Sequence, residues 1–256
     1  MTMERRQFQH DGLTFSYLDS GGSGPILVAL HAHLMEAATF APLAVALAPD
    51  WRVVALDQRG HGYSSRAPSY TRASYIGDIV ALFAHLGLDR AVLLGNSLGG
   101  VNAYQFAARH PQRVSALIIE DIGAVVTDDI SFILPWEGTF ATREDLVTRI
   151  GPRFAPYFED SIRETEAGWK LAFEPREMVA SQQHLCGDHW PDWLATNCPA
   201  LLIRGSESRV TSAEQLEQMA RRRPNSILVT LNGGHVLHKE TSSEFTRTVR
   251  TFLAGL

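Results

Sequence analysis

Short continuous apolar runs alternate with segments whose apolar residues recur three and four apart, and this alternation spans most of the chain. The runs at 25–30, 51–56 and 114–119 have the length and continuity of strands buried on both faces, and those at 91–94, 200–203 and 227–231 read as further strands. Between them, helical spacing puts Phe40, Leu43, Ala44 and Leu47 on one face over 39–47. It does the same for Ile76, Ile79, Val80, Phe83 and Leu86 over 74–86, a segment closed by Gly87. Leu98, Val101, Tyr104, Gln105 and Ala108 keep the spacing until His110-Pro111 stops it. Thr211-Ser212-Ala213-Glu214 and Thr241-Ser242-Ser243-Glu244 read as capping boxes. The first opens a helix to about Arg222, the second a last helix that buries Phe245, Val249 and Phe252. Near the start, 5–9 and 13–18 flank Asp11-Gly12, a hairpin turn signal. Strands alternating with helices predict an α/β fold with a mostly parallel sheet covered on both faces. The loops at the C-terminal strand ends then carry the chemistry.

The alternation fails between about 124 and 194, a stretch too long for a strand-to-helix connection. Its pattern predicts a helical insertion, with helices at 143–150, 160–172 and 176–185 and prolines between them. The chain is thus read as a core of 1–123 and 195–256 with an insertion at 124–194. Four of the five tryptophans fall in the insertion: Trp136, Trp169, Trp190 and Trp193. Most of its rings must form its own core, and Trp136, Tyr157 and Trp190 are the candidates to line a pocket.

Composition narrows the classes. The 256 residues are 45% apolar, ordinary for a globular chain with a full core. A net charge of −5 gives no reason to expect a polyanion such as nucleic acid as partner. The basic run Arg221-Arg222-Arg223 is read as a solvated helix end. No run of about 18 apolar residues exists to span a membrane. The polar N-terminal stretch has no signal-peptide pattern, and Cys186 and Cys198 lack metal spacing. These features predict a cytoplasmic protein, monomeric or homodimeric, with reduced thiols and a small-molecule partner.

The chemistry concentrates where the run at 91–94 enters Gly95-Asn96-Ser97-Leu98-Gly99 and a helix leaves it. Strand, sharp turn and helix lift Ser97 above the sheet edge. There it meets the unpaired N–H groups of a helix start, which favour developing negative charge. A bare Gly-x-Ser-x-Gly arises readily by chance, so this setting carries the weight. No HExxH, paired-Cys or GxGxxG motif is present, so neither metal nor organic cofactor is expected.

Four motifs, in order, resemble the α/β-hydrolase superfamily over nearly the whole chain. They are His31-Ala32-His33, Asp57-Gln58-Arg59-Gly60-His61-Gly62, Gly95-Asn96-Ser97-Leu98-Gly99 and Gly233-Gly234-His235. The resemblance implies the α/β-hydrolase fold, with 124–194 as a helical cap. It implies Ser97 as nucleophile and His235 as base, with His238 a weaker candidate. His31, Asp57 and His61 are read as architectural. The family's usual acid position reads Ser208 here, within Gly205-Ser206-Glu207-Ser208-Arg209-Val210. That departure leaves Glu207, in the same loop, and Asp121, after the run at 114–119. The turn Glu120-Asp121-Ile122-Gly123 resembles that of small esterases and favours Asp121. The backbone N–H groups of His33 and Leu98 are the implied oxyanion hole, with Ala32 replacing the family's glycine.

The resulting reading is a serine hydrolase acting on a carboxylic ester, lactone or thioester of a small, largely apolar substrate through an acyl-enzyme on Ser97. A carbon–carbon bond hydrolase, and a cofactor-free lyase, perhydrolase or oxygenase, are the enzymatic alternatives. A non-hydrolytic ligand sensor is the alternative of a different class.

Overall fold

A computed structural model describes residues 3–256; Met1 and Thr2, the start of the polar N-terminal stretch, lie outside the described residues. The first half of the chain forms β1 (Glu4–His10), β2 (Leu13–Asp19), β3 (Ile26–Leu30), α1 (Ala41–Leu47), β4 (Arg52–Leu56), α2 (Arg72–Leu86), β5 (Ala91–Asn96), α3 (Leu98–Arg109) and β6 (Val114–Glu120). The insertion follows with β7 (Val125–Val126), α4 (Arg143–Ile150), β8 (Ile162–Thr165), β9 (Gly168–Leu171), α5 (Pro175–Leu185), β10 (Gly187–Asp188) and α6 (Trp190–Leu194). The chain closes with β11 (Ala200–Gly205), α7 (Ala213–Arg222), β12 (Ser226–Leu231), α8 (Leu237–Glu240) and α9 (Ser242–Leu253).

Eight strands make one sheet in the order β1-β2-β4-β3-β5-β6-β11-β12. The β1–β2 hairpin joins β4 antiparallel, and the strands from β4 to β12 run parallel. The continuous apolar runs sort onto two faces by the two-residue period of a strand. Val28, Leu30, Val54, Leu56, Leu93 and Leu117 join the core under α2 and α3. Leu27, Ala29, Val53, Ala55, Val92 and Leu94 join the core under α1 and α9. All these strand residues are buried, each fully buried Leu or Val contributing about 1.5–3 kcal/mol. The parallel strands point their C-terminal ends the same way, so the loops after β3, β5, β6, β11 and β12 meet on one edge.

Several local expectations are corrected. The segment 160–172 is not a helix: a 3-10 turn over Ala155–Ser161 leads into the antiparallel β8–β9 hairpin. Gly168 sits at φ +121°, where a helix cannot continue, and a Cβ there would lie 2.4 Å from the Phe140 carbonyl oxygen. Phe140 and Trp169 exchange backbone hydrogen bonds at that point, so sheet pairing displaces helix. The insertion keeps the expected helices at 143–150 and 176–185, as α4 and α5, and replaces the third with this hairpin. The first capping box slides by one: Ser212, not Thr211, accepts from Gln215 N. At the second, the Thr241 hydroxyl donates to the Leu237 carbonyl of α8 and does not cap α9, and Phe252 is only half-buried. Arg223 is not solvated but buried, donating to the Thr196 and Cys198 carbonyls and stacking 4.5 Å from the Trp193 ring. Both cysteines are free. Among the described residues no helix is long and apolar enough to cross a membrane.

Polar contacts tie the insertion to the sheet edge. Arg163 of β8 pairs with buried Glu36, Ser161 Oγ donates to the Leu34 carbonyl at 3.0 Å, and Arg66 pairs with Glu177 of α5. Burial pushes the Glu36 carboxyl up to about 7, against the opposing pull of Arg163.

Candidate active site

The turn after β5 is as crowded as its glycines imply. A Cβ on Gly95 would stand 2.2 Å from the Gly99 carbonyl oxygen, and one on Gly99 would stand 2.0 Å from that of Leu30. Ser97 takes φ +53° and ψ −116°, a sparsely populated conformation costing about 1–3 kcal/mol. The strain is held by Ser97 N donating to the Glu120 carbonyl and by the N–H groups of Gly100 and Val101 donating to the Ser97 carbonyl. Leu98 opens α3, so its N–H has no intrahelical acceptor.

Asp121 follows β6 at φ +51° and is fully buried. Its Oδ2 accepts from His235 Nδ1 at 2.7 Å and from the Ser208 hydroxyl, and its Oδ1 accepts from Gly205 N at 3.0 Å. The carboxylate is an acceptor only, so the His235 proton sits on Nδ1 and leaves Nε2 bare. The structure thus pairs His235 with Asp121. Glu207 is exposed on the rim, its backbone N–H bonded to the Gly233 carbonyl. Ser208, at the position where the family's acid usually stands, serves Asp121 as a donor.

The loop carrying His235 is fixed from two sides. Glu240 accepts from the backbone N–H groups of Gly234 and Val236, which flank the histidine. Asn96 Nδ2 donates to the carbonyls of His235 (3.0 Å) and Glu120 (3.2 Å). A second histidine–carboxylate pair lies beneath. His238 Nδ1 meets Glu120 at 2.8 Å, its backbone N–H donates to the same carboxylate, and its Nε2 meets Thr39 Oγ1 at 2.7 Å. Both side chains are buried, and the ring stacks on Phe40. Burial under α9 removes His238 from the cavity.

The loop after β3 presents His33. His31 Nδ1 donates to the Ala32 carbonyl, its Nε2 accepts from Gln58 N, and Gln58 Nε2 donates to the His31 carbonyl. Burial pushes His31 down to about 4 and His61 to about 3, so both are neutral. Asp57 accepts from Ala37 N and Tyr63 N and pairs with Arg5. Ala32 keeps a negative φ, and the loop takes its left-handed residue at Leu34 instead.

Ser97, His33, His235, Ser208 and Glu207 line one cavity of about 750 Å³ between the sheet edge and the insertion. Ser97 and His235 both face it, and no hydrogen bond joins them among the described residues; such contacts often tighten only around substrate. Tyr157 is in its wall; Trp136 and Trp190 are not. Trp136 is buried behind Phe154 and Phe158, and Trp190 packs under Arg222 at 3.9 Å. The apolar wall comes from Leu34, Met35, Ile122, Val126, Phe154 and Phe158. Ser208, Asn96, Glu240 and the Glu120–His238 pair were not singled out from sequence as partners of the site. Ser208 left a trace there as a departure from the family's pattern, and His238 as a weaker candidate for the base. Among the described residues no group of three or more His, Cys, Asp or Glu side chains is arranged to hold a metal ion.

A family model described as the alpha/beta hydrolase fold matches residues 25–241. The chain belongs to this family of hydrolases. It is 27% identical, over 88% of this chain and 86% of the relative, to 2-(acetamidomethylene)succinate hydrolase of Mesorhizobium japonicum. It is 26% identical, over 91% of this chain and 88% of the relative, to fluoroacetate dehalogenase of a Burkholderia species. The crystal structure of E-2-(acetamidomethylene)succinate hydrolase superposes with a TM-score of 0.86 at 23% identity, covering 98% of this chain and 99% of that one.

Proposed function

We propose that the chain is a serine hydrolase cleaving a carboxylic ester, lactone or thioester of a small, largely apolar substrate. The observation that carries this is the His235–Asp121 pair, 2.7 Å apart, on the same cavity as the strained Ser97. Ser97 Oγ attacks the scissile carbonyl while His235 Nε2 takes its proton. The negative charge gathers on the carbonyl oxygen, where the N–H groups of His33 and Leu98 receive it. The carbonyl re-forms, the leaving group departs with the proton from His235, and water then clears the acyl-enzyme by the same steps. Asp121 fixes the tautomer and stabilises the imidazolium. Residues 124–194 act as a cap that closes the apolar side of the cavity.

The serine at the elbow favours acyl transfer over the carbon displacement that a dehalogenation requires. The apolar wall and a volume within the range of small-ligand sites support the substrate class. A second reading, hydrolysis of a bond other than an ester, rests on the relative named for 2-(acetamidomethylene)succinate. Turnover of p-nitrophenyl esters over lengthening acyl chains tests the choice. Release that peaks at short to medium chains and falls at long ones is expected; no release from any chain length by folded protein would sink the ester reading.

A further inference from the structure

The side chain of His33 has a role distinct from its backbone. His33 Nε2 lies 2.8 Å from Ser181 Oγ of α5, and Ser181 Oγ lies 2.8 Å from Tyr75 OH of α2. All three residues are buried. His33 lines the cavity, and its Nδ1 bonds no other group among the described residues.

The protons of this chain can be placed in three ways. If Nε2–H donated to Ser181 and Ser181 donated to Tyr75, the Tyr75 proton would be stranded in the core. If Tyr75 and His33 both donated to Ser181, the Ser181 proton would be stranded. A buried unpaired donor costs about 1–3 kcal/mol. Only the direction Tyr75 to Ser181 to His33 Nε2 uses both buried hydroxyl protons. The ring then carries its proton on Nδ1. Burial holds His33 well below the ordinary imidazole range, with His61, Arg72 and His31 adding to the depression, so the ring is neutral. Tyr75 is pushed up to about 12 and keeps its proton.

We propose that His33 Nδ1–H is a substrate-facing hydrogen-bond donor, oriented through Ser181 and Tyr75, that selects substrates with a second acceptor close to the scissile carbonyl. This rests on the hydrolase reading above, in which the His33 N–H holds the reacting oxygen. Nδ1 stays within about 5 Å of its own backbone nitrogen by covalent geometry. The acceptor it reaches is therefore two or three atoms from the scissile carbon: an ether, hydroxyl or carbonyl oxygen on the acyl part. The device also spans the two halves of the site, since Tyr75 and His33 belong to the core and Ser181 to the insertion.

The test compares p-nitrophenyl 3-methoxypropanoate with p-nitrophenyl pentanoate, which differ by an oxygen in place of a methylene. Rates are divided by those with hydroxide alone. The wild type is expected to favour the ether ester about fivefold to tenfold in kcat/KM, the worth of one neutral hydrogen bond. The ratio is expected to fall to about one in His33→Phe and in Ser181→Ala, and to survive in Ser181→Thr, whatever the absolute rates. An unchanged ratio in His33→Phe overturns the proposal. Long-range proton–nitrogen NMR of the His33 ring, assigned by its loss in His33→Phe, reads the tautomer without turnover. A bare Nε2 with protonated Nδ1 supports the donor; a protonated Nε2 or a charged ring overturns it. If the wild type cleaves neither ester, the ester reading falls, and the ring spectrum still decides the tautomer.

Discussion

Asp121→Asn is expected to lower kcat by about four orders of magnitude while the protein stays folded. Asp121 Oδ2 receives the Nδ1 proton of His235 and the Ser208 hydroxyl, and Oδ1 receives Gly205 N–H. An asparagine there can keep the Gly205 contact with its oxygen, but its NH2 then faces His235. The histidine must accept that hydrogen bond through Nδ1, which moves its own proton to Nε2. A protonated Nε2 cannot take the proton of Ser97. The loss therefore falls on kcat, with KM little changed, and steady-state kinetics on a p-nitrophenyl ester measure it. Glu207→Gln, at the other carboxylate considered for the acid, is expected to stay within about threefold of wild type, because its side chain is exposed on the cavity rim and bonds neither His235 nor Asp121. A dead Glu207→Gln beside an active Asp121→Asn would reverse the assignment.

His238→Ala is expected to cost about 3–5 kcal/mol of stability. The Glu120 carboxylate is buried, and His238 supplies it with a ring N–H and a backbone N–H. Truncation leaves that carboxylate facing a cavity in the core and also removes the stack on Phe40. The fall in melting temperature is roughly 6–20 °C for a chain of this size. Thermal and urea unfolding measure it. A melting temperature within about 2 °C of wild type would contradict the account, since it would mean that the pair carries little of the fold.

The sheet was legible because each parallel strand is a short, mostly apolar run bounded by polar loops, too short for a buried helix. Ser97, His235 and Asp121 could be named together because the motifs that carry the family resemblance lie in loops that follow strands, and those loops converge on one edge. The insertion was harder to read. Isoleucine, arginine and tryptophan at 162–171 satisfy helical and strand spacing alike, and the choice was made by Gly168 and by the pairing of Trp169 with distant Phe140. Trp136 and Trp190 looked like pocket residues because ring content says nothing about which face of a loop is outward. Glu120 and His238 were opaque for a different reason. Their partnership joins β6 to α8 across 118 positions, and neighbouring residues Asp121 and His235 form the pair that faces the cavity. Thr39 completes the buried set from a third loop, with no sequence spacing to announce it.

The central claim is a covalent acyl transfer through Ser97, and stoichiometric phosphonylation tests it most directly. A fluorophosphonate is incubated with wild type, Ser97→Ala and His235→Ala, and the modified residue is located by peptide mass. The account predicts one equivalent on Ser97 in the wild type, none in Ser97→Ala, and labelling slowed by orders of magnitude without His235. Ester turnover that proceeds with Ser97 unlabelled, or that survives in Ser97→Ala, would contradict it.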